Sequence, residues 1–129
     1  MKPYVLVIED NEQNAYLARF LLEKRGCAVE VAESGPAGVQ SAQQRMPSLI
    51  LLDIQLPGMD GYEVARALRG NPLLAEVPIV AVTSYAMVGD RERALESGCD
   101  GYIEKPIDPA TFIDRLGEFL PALATGSNS

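Results

Sequence analysis

Five short apolar runs, each followed by a longer stretch of mixed polarity, restrict the fold of this chain more than any other feature of its sequence. The runs cover residues 4–8, 28–31, 49–52, 79–82 and 101–103. They are rich in Val, Ile and Leu and mostly lack polar alternation, as strands covered on both faces do. The stretches between them carry helical periodicity. In the first, Ala15, Ala18, Leu21 and Leu22 form one apolar stripe, with Arg19, Glu23 and Lys24 facing away. Asp10 or Asn11 suits the N-cap of that helix, and Gly26 ends it. A second helix is expected over residues 35–45, stopped by Pro47, and a third from Asp60 or Gly61 to Gly70-Asn71-Pro72. A fourth spans residues 90–97 and ends at Gly98; a fifth opens at Pro109 and is closed by Pro121.

A strand–helix unit repeated five times predicts an α/β fold, (βα)5, with a doubly wound five-stranded parallel sheet and helices on both faces. Periodicity does not give the strand order. The flavodoxin-like order 2-1-3-4-5 is one of the two common ones for such sheets, and it is the one expected here. Residues 1–121 are expected to form one domain, and residues 122–129, small and polar, a flexible C-terminal tail.

Composition removes several function classes. A chain of 129 residues suits a single domain with one core, and 47% hydrophobic residues argue against disorder. The apolar run at residues 49–52 is too short to cross a membrane, and Glu9 and Asp10 interrupt the only apolar stretch near the start. No membrane contact and a cytoplasmic location are therefore expected. Lys and Arg total 11 against 18 acidic residues, a net charge of −7, which disfavours direct nucleic-acid binding. Cys27 and Cys99 are isolated and read as small buried hydrophobes. The chain has no histidine, which removes Ser-His-Asp and Cys-His catalysis and His-ligated zinc.

Open parallel sheets bind ligands at the carboxyl ends of their strands, so the residues that follow each run are informative. The first run is followed by Glu9-Asp10, the third by Asp53, the fourth by Thr83-Ser84 and the fifth by Glu104-Lys105-Pro106. Taken singly most of these are unremarkable: Asp10 can cap a helix, Thr83 and Ser84 suit a loop, and Lys105 suits a solvated surface. Asp53 is harder to set aside, because it directly follows Leu49-Ile50-Leu51-Leu52, where an unpartnered carboxylate is costly. Together the set is a chemistry. Clustered carboxylates repel and demand a cation; oxygen-only ligands with few protein contacts suit Mg2+. A carboxylate can itself be the nucleophile in phosphoryl transfer, with metal and lysine offsetting charge on the equatorial oxygens.

The motifs VLVIEDN at 5–11, LILLDIQLPGMDGYE at 49–63, PIVAVTSYA at 78–86 and GYIEKPID at 101–108 resemble those of the receiver (response-regulator) family of two-component signalling, over residues 3–120. Four such motifs in this order are specific where any one is weak. The resemblance implies that Asp53 is the phosphoacceptor. It implies that Asp10, Asp53 and the Gln55 backbone carbonyl bind Mg2+ directly, with Glu9 acting through water. It makes Thr83 the switch hydroxyl, Lys105 the cation that pairs with the phosphoryl group and Tyr102 the aromatic that swings inward when Thr83 moves. From propensity alone Tyr102 reads equally as an exposed strand-end residue. Lys105–Pro106 matches the family's cis peptide. Glu9 stands where Asp is commoner, and the turn residues Met59 and Asp60 read as structural, with Gly58 and Gly61 giving backbone freedom.

The function so implied is signalling by protein contact rather than enzymatic turnover, beyond weak self-phosphorylation from small phosphodonors and self-dephosphorylation. The partners implied are a sensor histidine kinase, a histidine phosphotransfer protein or both, and a downstream protein target; any phosphohistidine must be theirs. Gln55 and Tyr85, two residues past the acceptor and two past the switch threonine, are placed to tune the lifetime of the phosphate. A tyrosine ring there mainly excludes water, so a long lifetime suited to relay is expected. The start at Met1 favours a single-domain protein, while the linker-like ATGSNS at 124–129 leaves open a receiver cut from a longer regulator or hybrid kinase. A Mg2+-dependent phosphatase with an aspartyl nucleophile is the rival of another class. It lacks the Asp-x-Asp expected after the first strand and any cap domain. A flavodoxin-like cofactor binder is opposed by the acidic strand ends.

Overall fold

All five apolar runs are strands, and four of them extend one residue beyond the apolar stretch. In the computed structural model, which describes residues 2–56, 59–84, 88–121 and 123, the strands are β1 (Tyr4–Ile8), β2 (Ala28–Ala32), β3 (Leu49–Asp53), β4 (Ile79–Thr83) and β5 (Gly101–Glu104). The extra residues Ala32, Asp53, Thr83 and Glu104 are held by the ladder: Ile8 lies opposite Ala32, Asp53 opposite Val82 and Thr83 opposite Glu104. All four pairings are parallel and the order is β2-β1-β3-β4-β5, as expected. Two polar residues thus end the central strands as fixed parts of the sheet.

Between the strands lie α1 (Glu12–Lys24), α2 (Gly35–Gln44), α3 (Gly61–Arg69), a 3-10 turn at Pro72–Leu74, α4 (Asp90–Glu96) and α5 (Phe112–Leu116). Alternate residues of each strand face opposite helical layers. Val5, Val7, Leu49 and Leu51 pack with Ala18 and Leu22 of α1 and with Phe112, Ile113 and Leu116 of α5. Leu6, Ile8, Ile50 and Leu52 pack with Ala42 of α2, with Val64, Ala65 and Leu68 of α3 and with Ala94 of α4. Strands β1, β3 and β4 are buried along their whole length, whereas β2, at the sheet edge, is only partly covered.

The caps settle one choice the sequence left open. Asn11, not Asp10, caps α1, its side chain accepting from the Asn14 amide at 2.9 Å. The Asp10 carboxylate is not needed there. Gly61 is required for space rather than for conformational freedom. A Cβ there would fall 2.5 Å from Ile54 Cα and 2.9 Å from the Asp53 carbonyl oxygen, because α3 starts hard against the end of β3. Gly58 lies outside the described residues.

The chain end departs from expectation. Pro109 does not open α5: residues 109–111 form a turn around Asp108, whose side chain accepts from Ala110 N and whose carbonyl accepts from Thr111 N and Phe112 N. The helix begins at Phe112, the first residue there that reaches the core. Pro121 does not close α5 either, because that helix ends at Leu116 with Gly117 as its cap. Pro121 is itself helical, and Leu123 is buried among the α1 and α5 side chains.

Candidate functional site

Parallel pairing at the centre of the sheet assembles the site. Because Ile8 stands opposite Leu52, the next residues, Glu9 and Asp53, emerge side by side at the carboxyl ends of β1 and β3. Glu9, Asp10 and Asp53 each present a carboxylate oxygen, and these oxygens lie within 4.8 Å of one another. Glu9 and Asp53 are buried, 6% and 3% exposed, while Asp10 is exposed at the mouth. Three acids at this spacing need a counter-charge, and Lys105 supplies part of it. Its Nζ lies 2.9 Å from Glu9 Oε1 and 3.4 Å from Asp53 Oδ2. Lys105 is brought in from the end of β5, where its backbone N–H donates to the Thr83 carbonyl at 2.7 Å, and the Lys105–Pro106 peptide is cis.

Backbone donors hold the remaining oxygens. Gln55 N donates to Asp53 Oδ1 at 2.9 Å, and Asn11 N donates to Glu9 Oε2 at 3.1 Å. Burial, with the neighbouring Asp53, pushes the Glu9 carboxyl up to about 7 against the opposing pull of the Lys105 ammonium and the Asn11 amide. The cluster is therefore short of positive charge, and one lysine does not make up the deficit.

On the β4 side, Thr83 is 1% exposed, and its hydroxyl oxygen accepts from Gln55 Nε2. Gln55 Oε1 in turn accepts from Ser84 N at 2.9 Å. Tyr102, on the neighbouring strand, is not an exposed strand-end residue. It is half-buried against the core beside α3 and α4, and its hydroxyl is buried without a hydrogen-bond partner among the described residues. Burial, reinforced by the charges of Asp90 and Glu104, pushes its phenol above the usual range.

The structure thus brings Glu9, Asp10, Asp53 and Lys105 into one cluster, and sets Gln55 and Thr83 against its edge. Tyr85 lies outside the described residues. Sequence reasoning overlooked the Gln55 side-chain bridge to Thr83 and Ser84. No local pattern announces it, because the partners are 28 and 29 residues apart and meet only through the pairing of β3 with β4.

Comparison with known proteins gives one answer at three levels. The family model of the response regulator receiver domain matches residues 5–117. The chain is 41% identical over 120 residues to the polar-differentiation response regulator DivK of Brucella ovis, covering 93% of this chain and 98% of that protein. Among solved structures, the receiver domain of the sensor histidine kinase PA1611 from Pseudomonas aeruginosa superposes with a TM-score of 0.85 at 32% identity, over 94% of this chain and 99% of that one. That structure has a magnesium ion coordinated in its active-site cleft. The BeF3-activated receiver domain of Klebsiella pneumoniae RstA superposes with a TM-score of 0.83 at 33% identity, over 91% and 97% of the two chains.

Proposed function

The chain belongs to the response regulator receiver family, and from that membership we propose that Asp53 accepts a phosphoryl group from a phosphohistidine on a sensor histidine kinase or histidine phosphotransfer protein. Receiver domains are signalling proteins rather than classical enzymes, and their partners are in general histidine kinases and downstream effectors. The output proposed here is regulation of a protein target or relay of the phosphate. The observation that carries the reading is the position of Asp53: last residue of a buried central strand, beside two further acids and within 3.4 Å of a lysine.

In the transfer, a carboxylate oxygen of Asp53 attacks phosphorus, the P–N bond to the partner's imidazole breaks, and an acyl phosphate remains on Asp53. Lys105, already 3.4 Å from that carboxylate, donates to the incoming phosphoryl oxygens and leaves its contact with Asp53. Thr83 follows the phosphoryl group and Tyr102, half-buried on the adjacent strand, repacks with it.

The donor set fits Mg2+. It is all oxygen, and three carboxylates against one lysine leave an excess of two negative charges for a divalent cation. Asp10, Asp53 and the Gln55 backbone carbonyl would hold the ion, with Glu9 reaching it through water. Bound there, it would supply positive charge to the phosphoryl oxygens. Gln55 and Tyr85 would set the lifetime of the phosphate, and small phosphodonors would phosphorylate Asp53 slowly without a kinase. No described helix is long and apolar enough to cross a membrane, and a cytoplasmic site of action is part of this proposal.

The test is intact mass after incubation with acetyl phosphate and Mg2+. Wild type should gain one phosphoryl group and Asp53→Asn none. Equal phosphorylation of the variant would move the acceptor elsewhere and end this reading.

A further inference from the structure

We propose that the Gln55 side chain is a latch that holds the Thr83 hydroxyl in its resting place and so sets how readily the domain switches. The inference rests on the receiver reading of the site and deepens it. The Ser84 backbone N–H can only donate, so the group facing it at 2.9 Å is the amide oxygen of Gln55. The amide nitrogen is then left for Thr83, and Thr83 Oγ1 is the acceptor of that bond. Both ends of one side chain are therefore spent on Thr83, the last residue of β4, and on Ser84, which follows it.

The main chain of the same residue faces the other way. Gln55 N donates to Asp53 Oδ1 at 2.9 Å. One residue thus connects the acceptor carboxylate to the switch hydroxyl, backbone on the first and side chain on the second. Thr83 is 1% exposed, so water does not readily replace a bond it loses. Movement of its hydroxyl toward a phosphoryl group on Asp53 takes it away from Gln55 Nε2, and the resting arrangement is stabilised by that much. Phosphorylation also changes the carboxylate on which the Gln55 backbone leans, so it loosens the latch from the side where the chemistry occurs. Gln55 is in this role a positioning residue, separate from any metal contact of its carbonyl and from any ordering of water.

Gln55→Met separates these roles. It keeps the length of the side chain and the backbone carbonyl but removes donor and acceptor. In protein free of metal and phosphate, the Ser84 amide and Thr83 methyl resonances of Gln55→Met should lie part of the way to their positions in beryllofluoride-bound wild type. Titration with beryllofluoride at fixed Mg2+ should show about threefold to tenfold tighter apparent binding, the range expected from losing a neutral hydrogen bond or two in the resting state. Gln55→Asn, too short to span both partners, should behave in the same way and guards against an effect peculiar to methionine. Unmoved resonances with unchanged or weaker beryllofluoride binding would overturn the latch. So would a change confined to the rate of phosphate hydrolysis, which would make Gln55 a residue acting on water alone. If wild type itself failed to bind beryllofluoride, the receiver reading would fail, while the resting-state resonances would still report on the bond to Thr83.

Discussion

At Glu9 the crowding of the acids becomes measurable as pH dependence. Its carboxyl is pushed up to about 7 by burial and by Asp53, above the 4.5 of an unperturbed group. A carboxyl with a raised pKa in the folded state binds its proton more tightly when folded. Its contribution to stability is fully present below about pH 4.5 and is lost as the pH rises through about 7. In EDTA the protein should therefore lose stability across that window. Glu9→Gln is uncharged throughout, so its unfolding free energy in urea should match wild type near pH 4 and exceed it at pH 8 by about 1–3 kcal/mol. A difference that stays constant with pH would contradict the assignment. Lys105, which faces both Glu9 and Asp53, works at the same scale. Lys105→Ala should still fold, accept phosphate from acetyl phosphate more slowly, and show muted shifts near Thr83 and Tyr102 when beryllofluoride is added. Wild-type shifts in that variant would show that the switch does not pass through the lysine.

Among the secondary-structure elements, the end of the sheet away from the site is tied by Arg69 in the last turn of α3. Its guanidinium donates to the carbonyls of Gly98, Leu74 and Val77 at 2.7–2.8 Å and pairs with Asp100, which also accepts from Ile79 N at 2.9 Å. One side chain thereby satisfies carbonyl groups at the end of α4 and around the 3-10 turn. Arg69→Met should lower urea stability by about 2–4 kcal/mol, since it leaves several acceptors and Asp100 without their donor. Phosphorylation of the folded fraction should stay near wild type, because the clasp lies at the opposite strand ends. A loss of phosphorylation without loss of stability would show coupling along the strands instead. Arg69 was not legible in the sequence: an arginine at a helix end reads as a solvated charge, and its acceptors lie 5 to 31 positions further along the chain. What was legible has a physical reason too. Strands buried on both faces must be continuously apolar, so β1, β3 and β4 stand out, and the first polar residue after each marks the functional end of the sheet. The α5 start was misplaced because proline propensity spoke for Pro109, while the Asp108 turn and the burial of Phe112 decided the outcome. Strand order is not legible in periodicity; it came from the two orders common to such sheets, and without it the adjacency of Glu9 and Asp53 would not follow.

For the molecule as a whole, a net charge of −7 and a pocket with an excess of acids imply that folding and divalent-cation binding are linked. A ligand that binds only the folded chain stabilises it by RT ln(1 + [L]/Kd), which is about 1.4 kcal/mol at ten times Kd. For a domain of this size that corresponds to a rise in melting temperature of about 4–7 °C. The melting temperature should therefore climb with Mg2+ and keep climbing logarithmically beyond Kd, rather than level off. General screening of the acidic surface would also stabilise, so the control is NaCl at matched ionic strength, where only the smaller, nonspecific part should appear. Asp10 separates the two effects cleanly. It is exposed, Asn11 rather than Asp10 caps α1, and it takes part in the three-carboxylate cluster. Asp10→Ala should therefore change stability in EDTA only slightly and keep the NaCl response, yet lose most of the Mg2+-specific rise. If Asp10→Ala and wild type gained equally from Mg2+, the stabilisation would come from the acidic surface at large, and the pocket would not be the metal site.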